Sequence, residues 1–361
     1  MARTEPVPST VLVTGGAGFL GSHACVEFLD HGYEVVVVDD YSRSTPQVLT
    51  RVERLAGRFV GAVYELDIRD RRALSAVFDR HSVDAVVHFA AHNAGGASAR
   101  TPVPYYDVNV GGTTALLHTM QEHGVHRLVY ASTYAVYGDA DPRPLDETTP
   151  ARPVGLYARS KWLCEQVLAD VCRYRDDFTV LCLRHATPAG AHPSGLLGED
   201  PRATPDSLVR RLAQVAAGRL DRLRVFGADH PTPDGTAIRD YLHVMDTAEA
   251  HRIALDHVTG TRGMRVYNLG TGRGSSVLET IAVFARACGS PLPYDLTSRR
   301  PDDVPELVAD ASAVARDWGW RATRTLTDVC RDAWHFGQLN PDGYTDSARR
   351  PEARGGRRHE P

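Results

Sequence analysis

Lysine is almost absent from this chain of 361 residues. Lysine and arginine together number 41, and Lys161 is the only lysine, which leaves 40 arginines. The two side chains differ in shape, in hydration and in how readily the pKa shifts. A position that retains lysine against this background indicates that an amine is needed there, so Lys161 is a candidate functional residue.

Long apolar runs and a strong net charge are also missing. No run approaches the ~20 apolar residues of a membrane span, and Met1 to Pro8 lacks the apolar core of a secretion signal. The formal net charge of -4 does not indicate nucleic acid or an anionic membrane as a partner. We therefore expect a cytoplasmic protein that binds neither of them.

Cysteine pairs of the CxxC type and metal-ligand spacings are absent as well. A long chain without an export signal is expected to keep its cysteines as reduced, mostly buried thiols. The sequence therefore predicts no metal site. The six cysteines are Cys25, Cys164, Cys172, Cys182, Cys288 and Cys330.

What is present in the first half is an alternation of short apolar runs and amphipathic stretches. This alternation is typical of βαβ units and predicts an α/β fold with a parallel sheet. Strands are predicted at Thr10–Val13, Glu34–Val38, Ala62–Leu66, Ala85–Phe89, Arg127–Ser132 and Thr179–Arg184. Helices are predicted at Ser22–His31, Arg71–Arg80, Tyr105–Gly124 and Tyr157–Arg173.

The composition of the sequence changes after about Pro188, where glycine and proline become frequent. A length prior of ~150 residues per domain suggests two domains. We expect a first domain over 1–188 with a return segment at about 240–256, and a second over 189–340. The second domain begins with a long loop at 189–206 and contains helices at Leu208–Gly218 and Val277–Cys288. The polar, arginine-rich segment 341–361 is expected to be disordered.

A glycine-rich turn follows the first predicted strand. Gly15, Gly18 and Gly21 have the spacing that lets a backbone approach a pyrophosphate at a helix N-terminus. Asp39 ends the second strand about 20 residues further on, where a carboxylate can bind the hydroxyls of an adenosine ribose. Asp39 and Asp40 would repel a 2′-phosphate, so the pattern favours NAD over NADP.

Tyr157 and Lys161 lie four residues apart on one face of a predicted helix. An ammonium beside a phenol favours the phenolate and lowers a pKa that is normally near 10. Tyr157 can then act as a general base or acid near neutral pH. Lys161 can also hold a cofactor ribose, and Thr133 at a strand end offers a hydroxyl to the oxygen that is oxidised.

Over roughly residues 10–345 the chain resembles the UDP-glucose 4-epimerase family. The resemblance implies a Rossmann-type, doubly wound parallel sheet with a smaller mixed α/β substrate domain, and a homodimer in which Tyr105–Gly124 and Tyr157–Arg173 pair across a two-fold axis. The matching stretches are Val11–His23 (VLVTGGAGFLGSH), Tyr105–Thr113 (YYDVNVGGT), Tyr157–Lys161, Gly190–Gly195 (GAHPSG), Arg239–Asp246 (RDYLHVMD) and Tyr267–Gly272 (YNLGTG).

The resemblance also implies residue roles. Tyr157 is the base, Thr133 its hydroxyl partner and Lys161 the third catalytic residue. Contacts to NAD are implied for Gly15, Gly18, Phe19, Leu20, Gly21, Asp39, Asp40, Asp67, Ile68, Phe89, Ala90, Ala91, Asn93, Asn109, Tyr157, Lys161, His185 and Ala186. Contacts to a nucleoside-diphosphate sugar are implied for Thr133, Thr187, Ser207, Leu208, Arg224, Phe226, Arg239, Arg300, Asp303 and Leu307.

The implied reaction is 4-epimerisation: C4 of the sugar is oxidised, the 4-keto sugar turns about its diphosphate link, and hydride returns to the opposite face. Related dehydratases carry Asp-Glu directly after the threonine, whereas Tyr134 and Ala135 follow Thr133 here. The alternatives that stay open are another enzyme that forms a 4-keto sugar (a dehydratase or a dehydrogenase) and a non-catalytic sensor of NAD and sugar nucleotides.

Several positions depart from the family pattern. His185 and Thr187 replace a tyrosine and an asparagine of the stretch Arg-Tyr-Phe-Asn-Pro, Ser207 replaces another asparagine, and Asn93 replaces a lysine. Leu307 stands where some epimerases have a tyrosine. Most of these changes trim side chains around the sugar, so a bulkier sugar and plain UDP-galactose or UDP-glucose both remain possible substrates. His185 is either a packing residue beside the cofactor or a new acid/base.

Overall fold

The computed structural model describes residues 9–93, 102–141, 144–200, 207–300 and 302–344. A seven-stranded sheet in which every pair of neighbours is parallel forms its centre, in the order β10-β6-β5-β4-β1-β2-β3. Its strands are β1 (Thr10–Thr14), β2 (Glu34–Asp39), β3 (Ala62–Glu65), β4 (Ala85–His88), β5 (Arg127–Thr133), β6 (Thr179–His185) and β10 (Gly263–Leu269).

Helices cover both faces of this sheet. They are α1 (Phe19–Asp30), α2 (Gln47–Ala56), α3 (Arg71–Arg80), α4 (Pro102–Tyr106), α5 (Gly112–Glu122), α6 (Leu156–Tyr174) and α8 (Val244–Val258). Successive residues of a strand point to opposite faces, and accordingly Val11 and Val13 join one buried core while Leu12 joins the other. The expected doubly wound, Rossmann-type fold is confirmed.

A smaller mixed sheet lies beside the large one. It contains β7 (Thr187–Ala189), β9 (Ile238–His243), β11 (Gly274–Ser276) and β13 (Glu306–Leu307), and a further parallel pair is formed by β8 (Leu223–Phe226) and β12 (Tyr294–Thr297). The helices of this part are α7 (Leu208–Ala216), α9 (Val277–Cys288) and α11 (Leu326–Leu339), which share a third core. Helix α10 (Ser312–Trp318) packs against β10.

Several elements differ from the sequence expectations. In the smaller part, β7, β8, β9, β11, β12, β13, α10 and α11 were not predicted individually. Helix α2 was not anticipated, and neither was the strand β10, which pairs with β6 at the edge of the large sheet. The single helix expected at Tyr105–Gly124 is interrupted by a π-helical turn at Asp107–Gly111. The segment at 240–256 is divided: its first residues belong to β9 in the small sheet, and α8 packs on α1 in the core of the large one.

The remaining expectations concern the domain boundary, the C-terminal tail, membrane spans, metal sites and the state of the cysteines. The division into domains at about residue 188 stays a prediction, and of the expected disordered tail, residues 345–361 lie outside the described residues. Within the described ranges, no helix is long and apolar enough to cross a membrane, and no group of three or more metal-ligating side chains occurs. All six cysteines are free thiols, of which four are buried.

Candidate active site

A cavity of about 970 Å³ opens at the carboxyl ends of the central strands. In a doubly wound sheet this edge is where ligands bind, at the point where the strand order reverses, and here that point lies between β1 and β4. Every residue that the sequence analysis assigned to NAD or to the substrate lines this cavity, with the exception of Asn109. The fold therefore brings together side chains that are up to almost 300 residues apart in the sequence.

The glycine-rich turn forms one part of the cavity wall. Gly15 has a φ of 70° and lies so close to the segment after β4 that an added Cβ would come within 2.7 Å of the Ala90 nitrogen. Helix α1 begins after Gly18, and no side chain of the described residues caps it. Because the first N–H groups of an uncapped helix attract anions, this turn fits the pyrophosphate of a dinucleotide.

Asp39 ties the end of β2 to the glycine-rich turn. One carboxylate oxygen accepts a hydrogen bond from the Ala17 nitrogen at 2.9 Å, and the other accepts from the Tyr41 nitrogen at 3.0 Å and the Ser44 hydroxyl at 2.7 Å. Burial raises the pKa of Asp39, whereas these hydrogen bonds act to lower it. The position and charge fit the ribose end of NAD, as predicted from the sequence spacing.

Thr133, Tyr157 and Lys161 meet where β5 ends and α6 begins. The Thr133 hydroxyl lies close enough to the Tyr157 phenol to act on its pKa through a hydrogen-bonding interaction, and it accepts a hydrogen bond from the Ala135 nitrogen at 3.1 Å. Lys161 is only 4% exposed. Its amine donates to the Ala131 carbonyl at 2.8 Å and lies 4.8 Å from the centre of the Tyr130 ring.

The lowered pKa expected for Tyr157 is not what this structure has. Burial raises the pKa of Tyr157 above its ordinary value, Tyr105 raises it further, and the hydrogen bond from Thr133 opposes both effects. The Lys161 amine is directed at the Ala131 carbonyl and the Tyr130 ring, so its charge does not act chiefly on Tyr157. Helical spacing places the two residues on one face, but packing decides where each polar atom points.

Asn109 is the predicted cofactor residue that does not line the cavity. It lies in the π-helical turn and is 2% exposed. Its oxygen accepts from the His92 nitrogen at 2.7 Å, and its amide nitrogen donates to the His92 carbonyl at 3.1 Å and to the Ser160 hydroxyl at 2.8 Å. The amide therefore holds the segment after β4, whose residues do line the cavity, against α6.

His185 lies at the end of β6, directly across from Thr133 in the register of the sheet. Its ring packs edge-on against His251 at 4.9 Å between centres. The Nε2 atom is buried and has no hydrogen-bond partner among the residues described. Burial lowers the pKa of His185 well below its usual value, with smaller contributions from His251 and Lys161, so the ring is neutral and this does not favour an acid/base role.

The residues assigned to the nucleotide lie on the smaller mixed sheet, on the β8–β12 pair, at the start of α7 and in the loop before β13. An Arg239 guanidinium nitrogen lies 3.3 Å from an Asp303 carboxylate oxygen, and the Arg300 guanidinium lies 4.1 Å from the centre of the Phe226 ring. Leu307 is paired with Arg239 in the register of β13 and β9 and is buried. Ser207 precedes α7, Leu208 begins it, and Arg224 is exposed on β8.

Some residues of the cavity wall were missed by the sequence analysis. Tyr134 had been considered only as a residue unable to serve a dehydratase. The one signal for its position was that it directly follows Thr133 at a strand end. Other polar wall residues that were not anticipated include Ser42, Ser44, His92, Glu199 and Arg211.

The fold and this cavity define an α/β enzyme that binds a dinucleotide beside a hydroxyl-rich reaction site. Comparison with known proteins agrees with this description of the fold and cavity, because residues 11–270 match the NAD dependent epimerase/dehydratase family. The chain belongs to this family, and within it to the UDP-glucose 4-epimerases, as the following relatives indicate.

Two curated relatives are bacterial UDP-glucose 4-epimerases. The protein from Yersinia pestis is 44% identical over 337 residues, which are 93% of this chain and 99% of that protein. The protein from Bacillus subtilis is 43% identical over 334 residues, which are 92% of this chain and 98% of that protein. The similarity thus extends over both sheets and not only over the dinucleotide-binding part.

Solved structures agree with the described fold. The UDP-glucose 4-epimerase of Bifidobacterium longum, in complex with NAD+ and UDP, superposes with a TM-score of 0.90 at 43% identity, covering 92% of this chain and 99% of that one. The enzyme of Stenotrophomonas maltophila, with bound NAD and formylated UDP-arabinopyranose, has a TM-score of 0.89 at 44% identity with the same coverage. The resemblance found in the sequence is confirmed.

Proposed function

We propose that this chain is an NAD-dependent nucleotide-sugar 4-epimerase that inverts C4 of a UDP-linked hexose. The observation that carries the proposal is the single cavity lined by the glycine-rich turn, by Tyr157 and Thr133, and by the arginines Arg239 and Arg300. A dinucleotide, a reacting hydroxyl and a diphosphate are the three chemical groups that this set of residues fits. The relatives named above support the same reaction.

The side chains divide the work of the reaction. NAD, when bound, supplies a hydride acceptor and the positive charge of its oxidised ring. Tyr157 takes the proton of the sugar 4-hydroxyl and later returns it, and Thr133 orients that hydroxyl by hydrogen bonding. Burial keeps Tyr157 protonated in the empty site. A positive charge close to a phenol lowers its pKa, so in the loaded site the phenol would first release its own proton to solvent and could then accept the proton of the sugar hydroxyl.

The two arginines allow the sugar to turn while the nucleotide stays in place. Arg239 and Arg300 can hold a diphosphate by charge-assisted hydrogen bonds, and both line the cavity together with Asp303. The cavity that contains both arginines also contains Thr133 and Tyr157, so a nucleotide held by the arginines can present its hexose to the reaction site. Tyr134 and Ala135 after Thr133 lack the carboxylates that a dehydratase uses, so epimerisation is favoured over elimination.

The proposal also covers which sugar the substrate carries. Thr187, Ser207 and Leu307 leave space that favours tolerance of an N-acetylhexosamine, but Tyr134 extends into this space and reaches Thr187. We propose UDP-galactose and UDP-glucose as the main substrates, with UDP-N-acetylgalactosamine converted more slowly.

NMR of the purified protein without added cofactor tests these proposals. Incubation with UDP-galactose and, in a parallel sample, with UDP-N-acetylgalactosamine should give the 4-epimer in both samples, and faster with UDP-galactose.

The Tyr157→Phe variant should lose at least about 100-fold in rate, because general acid–base catalysis contributes on that order or more. Tyr174→Phe, an exposed tyrosine on the same helix, is the matched control. Accumulation of NADH, or a product that has lost water, would instead indicate one of the other 4-keto-forming enzymes.

We also propose that the enzyme is a homodimer formed through α4, α5 and α6. Val103 on α4 and Leu163 on α6 are exposed apolar residues, at 74% and 43% exposure. Covering such residues is a common reason for two-fold association. Light scattering after gel filtration should give twice the mass of the chain, and Leu163→Arg should shift the protein toward the monomer. A monomer at micromolar concentration in the unchanged protein would rule the dimer out.

A further inference from the structure

Tyr134 and Thr187 form a hydroxyl pair in the wall of the cavity. Tyr134 opens a short 3-10 turn directly after β5 and is 4% exposed, and Thr187 begins β7 and is half-buried. The Tyr134 and Thr187 hydroxyl oxygens lie 2.7 Å apart, a hydrogen bond between residues 53 positions apart in the sequence. Both residues line the cavity.

The pair lines the same cavity as Thr133, which would meet the reacting hydroxyl, and Arg239, which would hold the diphosphate. Tyr134 directly follows Thr133 in the chain, and the Thr133 hydroxyl acts on the pKa of the Tyr157 phenol. The positive charge of Arg239 acts on the Tyr134 phenol to lower its pKa, although burial has the larger effect and raises it. A hexose that joins a C4 hydroxyl at Thr133 to a diphosphate at Arg239 therefore occupies the cavity that the pair lines.

Counting protons shows that the pair has hydrogen-bonding capacity left. Each hydroxyl has one proton and two lone pairs, and the bond between the two oxygens uses one proton and one lone pair. One hydroxyl proton therefore remains to be donated to a ligand oxygen, and both oxygens keep lone pairs. A buried hydroxyl left without such a partner is costly, so a sugar hydroxyl is a suitable occupant.

We propose that Tyr134 and Thr187 act as one unit that recognises a ring hydroxyl of the hexose and so contributes to sugar specificity. This inference rests on the proposed nucleotide-sugar substrate. It assigns Tyr134 to substrate binding, and it explains how the small side chain of Thr187 is accommodated: the phenol of Tyr134 reaches across the space and joins its hydroxyl to that of Thr187.

The test compares the sugar nucleotide with the nucleotide alone. In Tyr134→Phe and in Thr187→Val, which keep the shape but remove one hydroxyl each, the Kd of UDP-galactose for the NAD-loaded protein should rise about 3- to 10-fold, the range expected for one hydrogen bond. The Kd of UDP should stay within about twofold, because UDP has no hexose. The double variant should be little worse than either single one, since each change already breaks the unit.

Two further variants exclude a purely structural effect. Thr187→Ser keeps the hydroxyl and should bind UDP-galactose nearly as the unchanged protein does. Tyr33→Phe removes a phenol hydrogen bond to Asp256 that lies outside the cavity and should change neither Kd. Equal weakening of UDP and UDP-galactose, or additive single effects, would overturn the recognition role. Failure of the proposed function is distinguishable, since the unchanged protein would then bind UDP-galactose no better than UDP or would not epimerise it.

Discussion

Lys161 shows at the scale of a single residue why this chain keeps one amine. The amine is buried, donates to the Ala131 carbonyl at 2.8 Å and lies over the Tyr130 ring. Burial lowers the pKa of Lys161. The site holds a compact ammonium, and a planar guanidinium with five donors would need more room and more partners. Arginine, which otherwise supplies the positive side chains of this protein, is therefore a poor substitute at position 161.

Substitution of Lys161 should reduce turnover strongly. We expect both Lys161→Met and Lys161→Arg to lower kcat about 100-fold or more, since each removes an amine that positions the acid/base site. Arg159→Lys, an exposed position on the same helix, adds a lysine elsewhere and should leave kcat unchanged. Steady-state assays of the three variants check this, and an active Lys161→Arg enzyme would show that only a positive charge is needed.

At the scale of a secondary-structure element, the feature to consider is the π-helical turn at Asp107–Gly111. It interrupts what would otherwise be one helix, and π-helical turns are frequent near functional sites. Here Asn109 of the turn makes hydrogen bonds to the His92 backbone and to Ser160 of α6. The turn thereby connects the segment that follows β4 to the helix that carries Tyr157 and Lys161.

Asn109→Ala should loosen the cofactor site without touching the cofactor directly. It leaves the partly buried His92 nitrogen without its partner, which costs about 1–3 kcal/mol at most for such a group, and it removes one of the two hydrogen bonds of the Ser160 hydroxyl. We expect faster loss of NAD during gel filtration in dilute denaturant and a lower unfolding midpoint. Gln121→Ala, later in the same helical region and outside the cavity, is the control. Unchanged NAD retention in Asn109→Ala would show that the hydrogen bonds stabilise the fold alone.

At the scale of the whole molecule, fully buried histidines make the fold sensitive to acid. Burial lowers the pKa of His23 and His88 to about 3 and that of His251 to about 4. In the unfolded chain these groups titrate near 6.5. Each histidine contributes stability that is fully present above about pH 6.5 and is lost as pH falls toward the folded-state pKa, because only the unfolded chain takes up the proton.

Between about pH 7 and 5.5 the three histidines together should cost on the order of 4 kcal/mol of unfolding free energy. Buried carboxyls whose pKa is raised, such as Asp39 and Asp240, act in the opposite sense, but only as pH approaches their own range. Urea unfolding at several pH values checks this. His88→Gln, which can keep a hydrogen bond to Thr14 or Thr113, should reduce the pH slope by about one proton. A flat profile above pH 5.5 would contradict the expectation.

Local pattern was sufficient for much of the fold and for the candidate site. The apolar strands β1, β2, β4, β5 and β6 were predicted nearly to their ends, since a parallel strand covered on both faces is apolar throughout. The glycine spacing predicted the turn around Gly15, and the four-residue spacing placed Tyr157 and Lys161 on one helix face. These features depend on neighbours in the sequence, so the sequence alone contains the information. The roles of the site residues stay predictions until the variants are measured.

Other features depended on contacts between distant parts of the chain. The strand β10 is added to the sheet by pairing with β6, about 80 residues earlier, and no local pattern marks such a partner. The pKa of Tyr157 is set by burial, and the direction of the Lys161 amine is set by the Ala131 carbonyl and the Tyr130 ring. The sequence by itself determined which elements form and which residue types carry the chemistry. Only the tertiary structure decided that Tyr134 meets Thr187 and that Asn109 lies behind the cavity wall, because burial and side-chain direction follow from long-range packing.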